Sequence, residues 1–337
     1  MADDTRQKLF ALASRWMPSL KDADRLRVHT DTGDFFRIDY GDIVMLDDRP
    51  YLIRQCAKEG RFGLDEEVKH WVKHAVALEN GQRCLIKLVF HEKFTARIGQ
   101  ITFECFRSPR KEARILQLVK GQKNFMQGFS VPDAGGNVVR VIEVIHGKPL
   151  PRLIEVHDMD HASYFHEYLP EILDHFIESI AAIRFLHDHG EKHGDIRRDH
   201  LIVDGETGDY RWIDFDYNYR HRENIYGYDL FGLGNVLIYL VGKGDTLTSD
   251  LKDGRHPAFD RLAVEDVNIV FHNRVANLQK IYPYIPTPLN RVLRHFSQGA
   301  NRFYDHTRQL IEDLGACRTR MGTSSKRKEG VDERDKN

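Results

Sequence analysis

The spacing of apolar positions changes character partway along the chain and divides it into two unlike parts. From Tyr51 the pattern is that of strands: YLIRQCA, then VKHWVKHAVAL alternating with period two, then the nearly all-apolar RCLIKLVF. Asn80 and Gly81 between the last two runs predict a hairpin, because both residues accept the positive φ that tight turns require. KEARILQLVKG, after Pro109, predicts a helix closed by Gly121. Two more strands flank the turn DAGGN, the second being VVRVIEVI. Beyond them Ile172, Phe176, Ile180, Ile183 and Leu186 recur at intervals of three and four. That spacing marks one buried face of a long helix ending near Gly190. Short strands and helices then alternate to about Ala316.

Residues 1–50 read as an extension ahead of this pattern. They predict a helix capped by Thr5, with Leu9, Leu12 and Trp16 on its apolar face, and then short strands FFRID and DIVML. The closing stretch RTRMGTSSKRKEGVDERDKN has almost nothing to bury and is expected to be disordered. A β-rich part with one helix, followed by a helix-rich part, predicts an α+β protein.

Composition narrows the partners more than the fold. The 337 residues allow one large core or two modest ones, and a formal charge of −1 gives no global field to attract nucleic acid or anionic lipid. Cys56, Cys84, Cys105 and Cys317 are scattered without a CxxC pair, which fits neither a zinc site nor a disulfide framework. The N-terminus lacks the apolar core of a signal peptide, and the longest apolar run, around Val236 to Val241, is too short to cross a bilayer. The expectation is a cytoplasmic protein without membrane insertion.

Chemistry concentrates in KHGDIRRDHLIVDGETGDYRWIDFDY. His193, Gly194 and Asp195 follow the long helix, and Asp214 ends a strand nineteen residues beyond Asp195. The segment resembles the catalytic loop and metal-binding loop of the protein-kinase-like superfamily, where H-x-D-x-x-x-x-N precedes D-F-x. The resemblance implies a two-lobed fold, with a β-rich N-lobe at 51–145 and a mainly helical C-lobe at 146–317. It makes Asp195 the catalytic aspartate, supported by His193, and Asp214 the ligand of Mg²⁺ on ATP. Arg197 matches a γ-phosphate-contacting lysine.

Other stations follow in order. Lys87 is a lone lysine in a buried-looking strand and resembles the phosphate-binding lysine. Glu112 resembles its helix partner, and Glu143 sits at the hinge where adenine would meet backbone groups. Gly60 and Gly63 read either as a phosphate-covering loop or as an ordinary hairpin turn. Asp229 resembles the aspartate that braces the catalytic loop. Arg302 resembles a structural arginine, with Glu223 its nearest candidate partner.

Departures from the pattern bear on the acceptor. His200 stands where an asparagine normally binds the second metal, so it reads either as a ligand that favours Mn²⁺ over Mg²⁺ or as a structural histidine. Gly194 and Asp216 give HGD and IDFD, forms seen in aminoglycoside- and choline-type kinases, and bacterial lipopolysaccharide kinases resemble the loop at His200. Only fourteen residues separate Asp214 from Asp229, without an APE triplet. The leading expectation is a serine/threonine protein kinase-like phosphotransferase using ATP and Mg²⁺ or Mn²⁺. A small-molecule or lipopolysaccharide kinase and a nucleotide-binding pseudokinase are the alternatives.

Overall fold

The computed structural model describes residues 3–59, 67–156, 158–221 and 224–321. The chain opens with helix α1 (Asp3–Trp16), and strands β1 (Val28–His29), β2 (Ile43–Leu46), β3 (Arg49–Glu59), β4 (Glu67–Ala77) and β5 (Arg83–Lys87) follow. Next come a hairpin, β6 (Lys93–Ile98) with β7 (Ile101–Arg107), helix α2 (Pro109–Leu118), and strands β8 (Gly128–Pro132) and β9 (Val138–Glu143). After β10 (Gly147–Pro149) the chain turns helical, with α3 (Leu150–Glu155), α4 (His161–Glu167) and α5 (Leu169–Asp188). Three short strands, β11 (Leu201–Asp204), β12 (Tyr210–Trp212) and β13 (Tyr217–Arg220), separate these from α6 (Gly227–Val241). Helices α7 (Thr248–Asp253), α8 (Thr287–Arg294) and α9 (Thr307–Arg320) complete the second lobe. This is the two-lobed α+β arrangement expected from the sequence.

The first lobe is one seven-stranded sheet in the order β1-β2-β3-β4-β5-β9-β8. Residues 28–46 therefore extend the sheet of the first lobe. Leu9 and Ala13 of α1, with Met17 just after it, pack with Ile43, Leu52 and Leu78, covering one face. The sheet curls until its ends meet: Ala134 N donates to Thr30 O at 2.9 Å. Thr32 donates its backbone N–H and its hydroxyl to Asp133 Oδ2 at 2.6 and 2.7 Å.

Three local expectations need correction. FFRID is a 3-10 turn at Phe35–Arg37 instead of a strand, because Ile38 N bonds back to Phe35 O at 3.4 Å, a local bond in place of a ladder bond. Thr5 lies inside α1, which already starts at Asp3. Helix α9 continues to Arg320, and residues 322–337 lie outside the described residues.

The β6–β7 hairpin is the largest feature the sequence pattern left unread. It leaves the first lobe between β5 and α2, yet Ile98, Phe103 and Cys105 sit in the core of the second lobe with Leu230, Phe231 and Phe296. Its inner strand pairs antiparallel with β13, Tyr217 opposite Arg107. Among the described residues, no helix is long and apolar enough to cross a membrane.

Candidate active site

A cluster of buried charge lies between the lobes. Lys87 at the end of β5 places Nζ 3.0 Å from Glu112 Oε1 on α2, in hydrogen-bond contact with Asp214 Oδ1, and 3.2 Å from Asp216 Oδ2. Glu112 Oε2 accepts from Arg140 Nε at 2.9 Å. Helix α2 is aimed there by its start, with Ser108 as N-cap and Pro109 in the first turn. Charges this deep are tolerated only when paired, and each ionisation follows its neighbours. Burial alone lowers the Lys87 ammonium pKa, but Asp214, Asp216 and Glu112 together raise it above the ordinary lysine range. Asp214 resists burial because Lys87 and Lys69 hold it well below the usual carboxylate range. Asp216 is pushed up by burial and by Asp214 and Glu112, although Lys87 and Arg107 oppose this.

Asp216 is also gripped by Arg107 Nη1, at 3.0 and 2.8 Å to its two oxygens. Arg107 lies 4.0 Å over the Tyr217 ring and reaches Glu92 at 2.9 Å. Asp216 thus ties the loop that carries Asp214 to the β6–β7 hairpin.

The loop at 193–200 is held from two sides. Asp229 at the start of α6 accepts from His193 N at 2.8 Å, Gly194 N at 2.9 Å and His187 Nε2 at 3.0 Å. From α2, buried Lys111 Nζ donates to the carbonyls of His193 (2.7 Å), Phe215 (2.9 Å) and Tyr217 (2.5 Å). Burial lowers Lys111 to about 8, against the pull of Asp229, so at neutral pH it remains an ammonium with a donor for each carbonyl. Gly194 is required at its position: φ is +89°, and a Cβ would lie 1.9 Å from Tyr217 O. The His193 ring packs edge-on against Trp212 and Phe215, and burial lowers its pKa to about 3, so it stays neutral.

Asp195, His200 and Asp214 converge at the mouth of this cluster. Asp214 has φ +68°, an uncommon backbone for a non-glycine residue and the kind of strain that concentrates at functional sites. His200 Nδ1 lies 2.9 Å from Asp195 O, which can only accept. In the neutral ring Nδ1 therefore carries the proton and Nε2 presents its lone pair, 3.7 Å from Asp214 Oδ2. Burial raises the Asp195 pKa, against His200 and Arg197.

Behind the charges runs a cleft of about 450 Å³. Ala57, Val72 and Leu85 line it from the first lobe, and Ile202 and Ile213 from the second. Glu143, Val144 and Ile145 close its back, while Lys58, Lys69, Lys87, Asp199, His200 and Asp214 line its polar end. An apolar slot with a few convergent polar groups at one end has the character of a small-molecule or cofactor site.

Not every residue singled out in the sequence joins this cluster. The Glu143 carboxylate is taken up by Gln127 N at 2.6 Å and by Arg211. Arg197 pairs through Nε and Nη2 with Asp199. Arg302 is exposed, and among the described residues its side chain forms no ion pair. Gly60, Gly63 and Glu223 lie outside the described residues. Sequence reasoning passed over Arg140, Lys69, Lys111 and the Arg107–Asp216 pair. Arg140 carries the same signal as Lys87, a lone cation in an apolar strand, whereas Lys111 sits in a charge-rich helix that gives no sign of its burial.

No protein-family model matches the chain, and no curated protein matches it. Among solved structures, it is similar to the kinase domain of Mycobacterium tuberculosis PknI, at 12% identity and a TM-score of 0.47. That likeness covers 83% of this chain and 99% of the other. Roles for the site residues rest on the chain's own geometry.

Proposed function

We propose that the chain is an ATP-dependent phosphotransferase that moves the γ-phosphoryl group of ATP to an acceptor hydroxyl. The observation that carries this reading is the meeting of Lys87 and Asp214 at one end of an apolar cleft, with buried Glu112 paired to Lys87 behind them and Asp195 beside His200. Phosphoryl transfer asks the protein mainly to position reactants and neutralise charge. Adenine fits between Leu85 and Ile202, and Lys87, oriented by Glu112, meets the phosphates. Asp195 orients the acceptor and takes its proton. The hydroxyl oxygen forms a bond to the γ-phosphorus as the bond to the β–γ bridging oxygen breaks, and ADP leaves.

Asp214 supplies carboxylate oxygens suited to Mg²⁺, which is commonly held by one or two carboxylates plus nucleotide phosphates, and His200 Nε2 adds a nitrogen donor beside it. Such an ion supplies charge neutralisation at the phosphates. Nitrogen favours Mn²⁺ over Mg²⁺. His200→Asn is therefore expected to raise the ratio of Mg²⁺- to Mn²⁺-supported turnover severalfold, measured with both metals. An unchanged ratio removes His200 from the metal site.

A small-molecule acceptor is favoured over a protein. Of the short stretch after Asp214, Tyr217–Arg220 form β13 and pair residue by residue with β7, and α6 begins at Gly227. A peptide-binding activation segment needs a longer free loop. The test is to incubate purified protein with γ-labelled ATP and either metal, with and without a small-molecule extract. Label is expected in a small metabolite; label confined to protein supports a protein acceptor, and label remaining in ATP contradicts the enzyme reading.

A further inference from the structure

Lys87 and Arg140 stand directly opposite each other on the neighbouring antiparallel strands β5 and β9. Both are buried, and like charges in such a pair repel. Glu112 enters from α2 and gives one carboxylate oxygen to each. Oε1 accepts from Lys87 Nζ at 3.0 Å and Oε2 from Arg140 Nε at 2.9 Å. We propose that Arg140 is a positioning residue for nucleotide binding: it fixes Glu112, and through Glu112 it fixes Lys87, at the polar end of the cleft. The proposal rests on the phosphotransferase reading and adds a residue to its nucleotide site.

Neither Arg140 nor Glu112 is among the described residues that line the cleft, so each acts through Lys87. The Arg140 guanidinium is held on two further sides. Nη1 donates to Val138 O at 2.8 Å and Nη2 to Leu88 O at 3.2 Å. Leu88 follows Lys87 in the chain. One guanidinium thus secures both the carboxylate that aims the ammonium and the backbone beside it. A planar fork of donors holds a carboxylate in one place, which a rotating ammonium does not.

The electrostatics point the same way. Burial pushes the Glu112 carboxyl up, but Lys87 and Arg140 together hold it below the usual carboxylate range. When phosphates draw on the Lys87 ammonium, Arg140 remains to balance and anchor Glu112. Stability alone gives little reason for this arrangement, because a buried ion cluster can often be replaced by apolar residues of similar volume without loss. Phosphate binding, by contrast, needs an ammonium held at a fixed point.

The experiment is a double-mutant cycle on the full chain, with Arg140→Met, Glu112→Gln and the two combined. Its readout is the Kd for Mg·ADP by titration calorimetry, beside a melting curve for each protein. Arg140→Met is expected to weaken Mg·ADP about tenfold, and to have almost no further effect once Glu112→Gln has removed the charge it holds. Arg140→Lys, which keeps a cation at the site, is expected to recover most of the lost affinity. A purely structural arginine lowers the melting point and leaves the Kd of the folded protein unchanged, or weakens binding equally in both backgrounds. Either result overturns the proposal. If Arg140→Met does not fold, Arg140→Gln carries the same cycle, and the same outcomes decide it. A wild type that does not bind Mg·ADP overturns the nucleotide reading and the proposal with it. That failure is distinct from an additive cycle in a wild type that binds, which overturns the role of Arg140 alone.

Discussion

Asp195→Asn is expected to lower phosphoryl transfer by about a thousandfold while leaving nucleotide affinity within a few-fold of wild type. The amide keeps the shape of the side chain and loses the carboxylate proposed to take the acceptor proton. In the proposed reaction Asp195 meets ATP only through the acceptor, whereas Lys87 and Asp214, which line the polar end of the cleft, meet the phosphates. Wild type carries a related pH signature. Burial raises the Asp195 pKa, and the carboxylate must be ionised to act, so activity falls as pH drops through a value above that of an ordinary aspartate. The check is kcat against pH for wild type, with kcat and nucleotide affinity for the variant. Wild-type turnover in Asp195→Asn contradicts its role as base.

The second large effect belongs to a residue the sequence did not announce. Lys111→Met leaves three buried carbonyls, those of His193, Phe215 and Tyr217, without their shared donor. At about 1–3 kcal/mol for each buried group left unsatisfied, the fold is expected to lose about 3 kcal/mol or more. Those carbonyls belong to the two loops that carry Asp195 and Asp214, and a displacement of about 1 Å there costs about a hundredfold in rate. A denaturant midpoint and a turnover measurement on the same sample test both effects. An unshifted midpoint contradicts the packing described for Lys111.

Legibility in the sequence follows the range of the interactions. Lys87 was readable because a lone ammonium in an apolar strand demands a partner, and Asp195 and Asp214 because motif spacing preserves their separation. The two-lobed order was readable from the change of hydrophobic period. What escaped depends on distant pairing. ITFECFR alternates, with Phe103, Cys105 and Arg107 buried, but its partner β13 lies more than a hundred residues away, and nothing local points to it. FFRID shows the opposite failure, a short apolar run whose local turn bonds prevail over strand pairing. For Lys111, a polar-looking helix position is buried only because two loops from the other lobe fold over it.

The central claim is that the Lys87–Glu112–Asp214 triangle binds the phosphates of a metal–nucleotide complex. Its most direct test is thermal stabilisation by Mg·ATP in wild type and Lys87→Met, each compared with its own ligand-free melting point. A ligand that binds only the folded state at a hundred times its Kd stabilises it by about 2.7 kcal/mol. Wild type is expected to show a concentration-dependent rise of that order, absent when the metal is chelated. Lys87→Met is expected to melt lower without ligand, because Glu112, Asp214 and Asp216 lose their shared cation, and to gain little from Mg·ATP. An equal rise in both proteins, or none in wild type at millimolar Mg·ATP, contradicts the account.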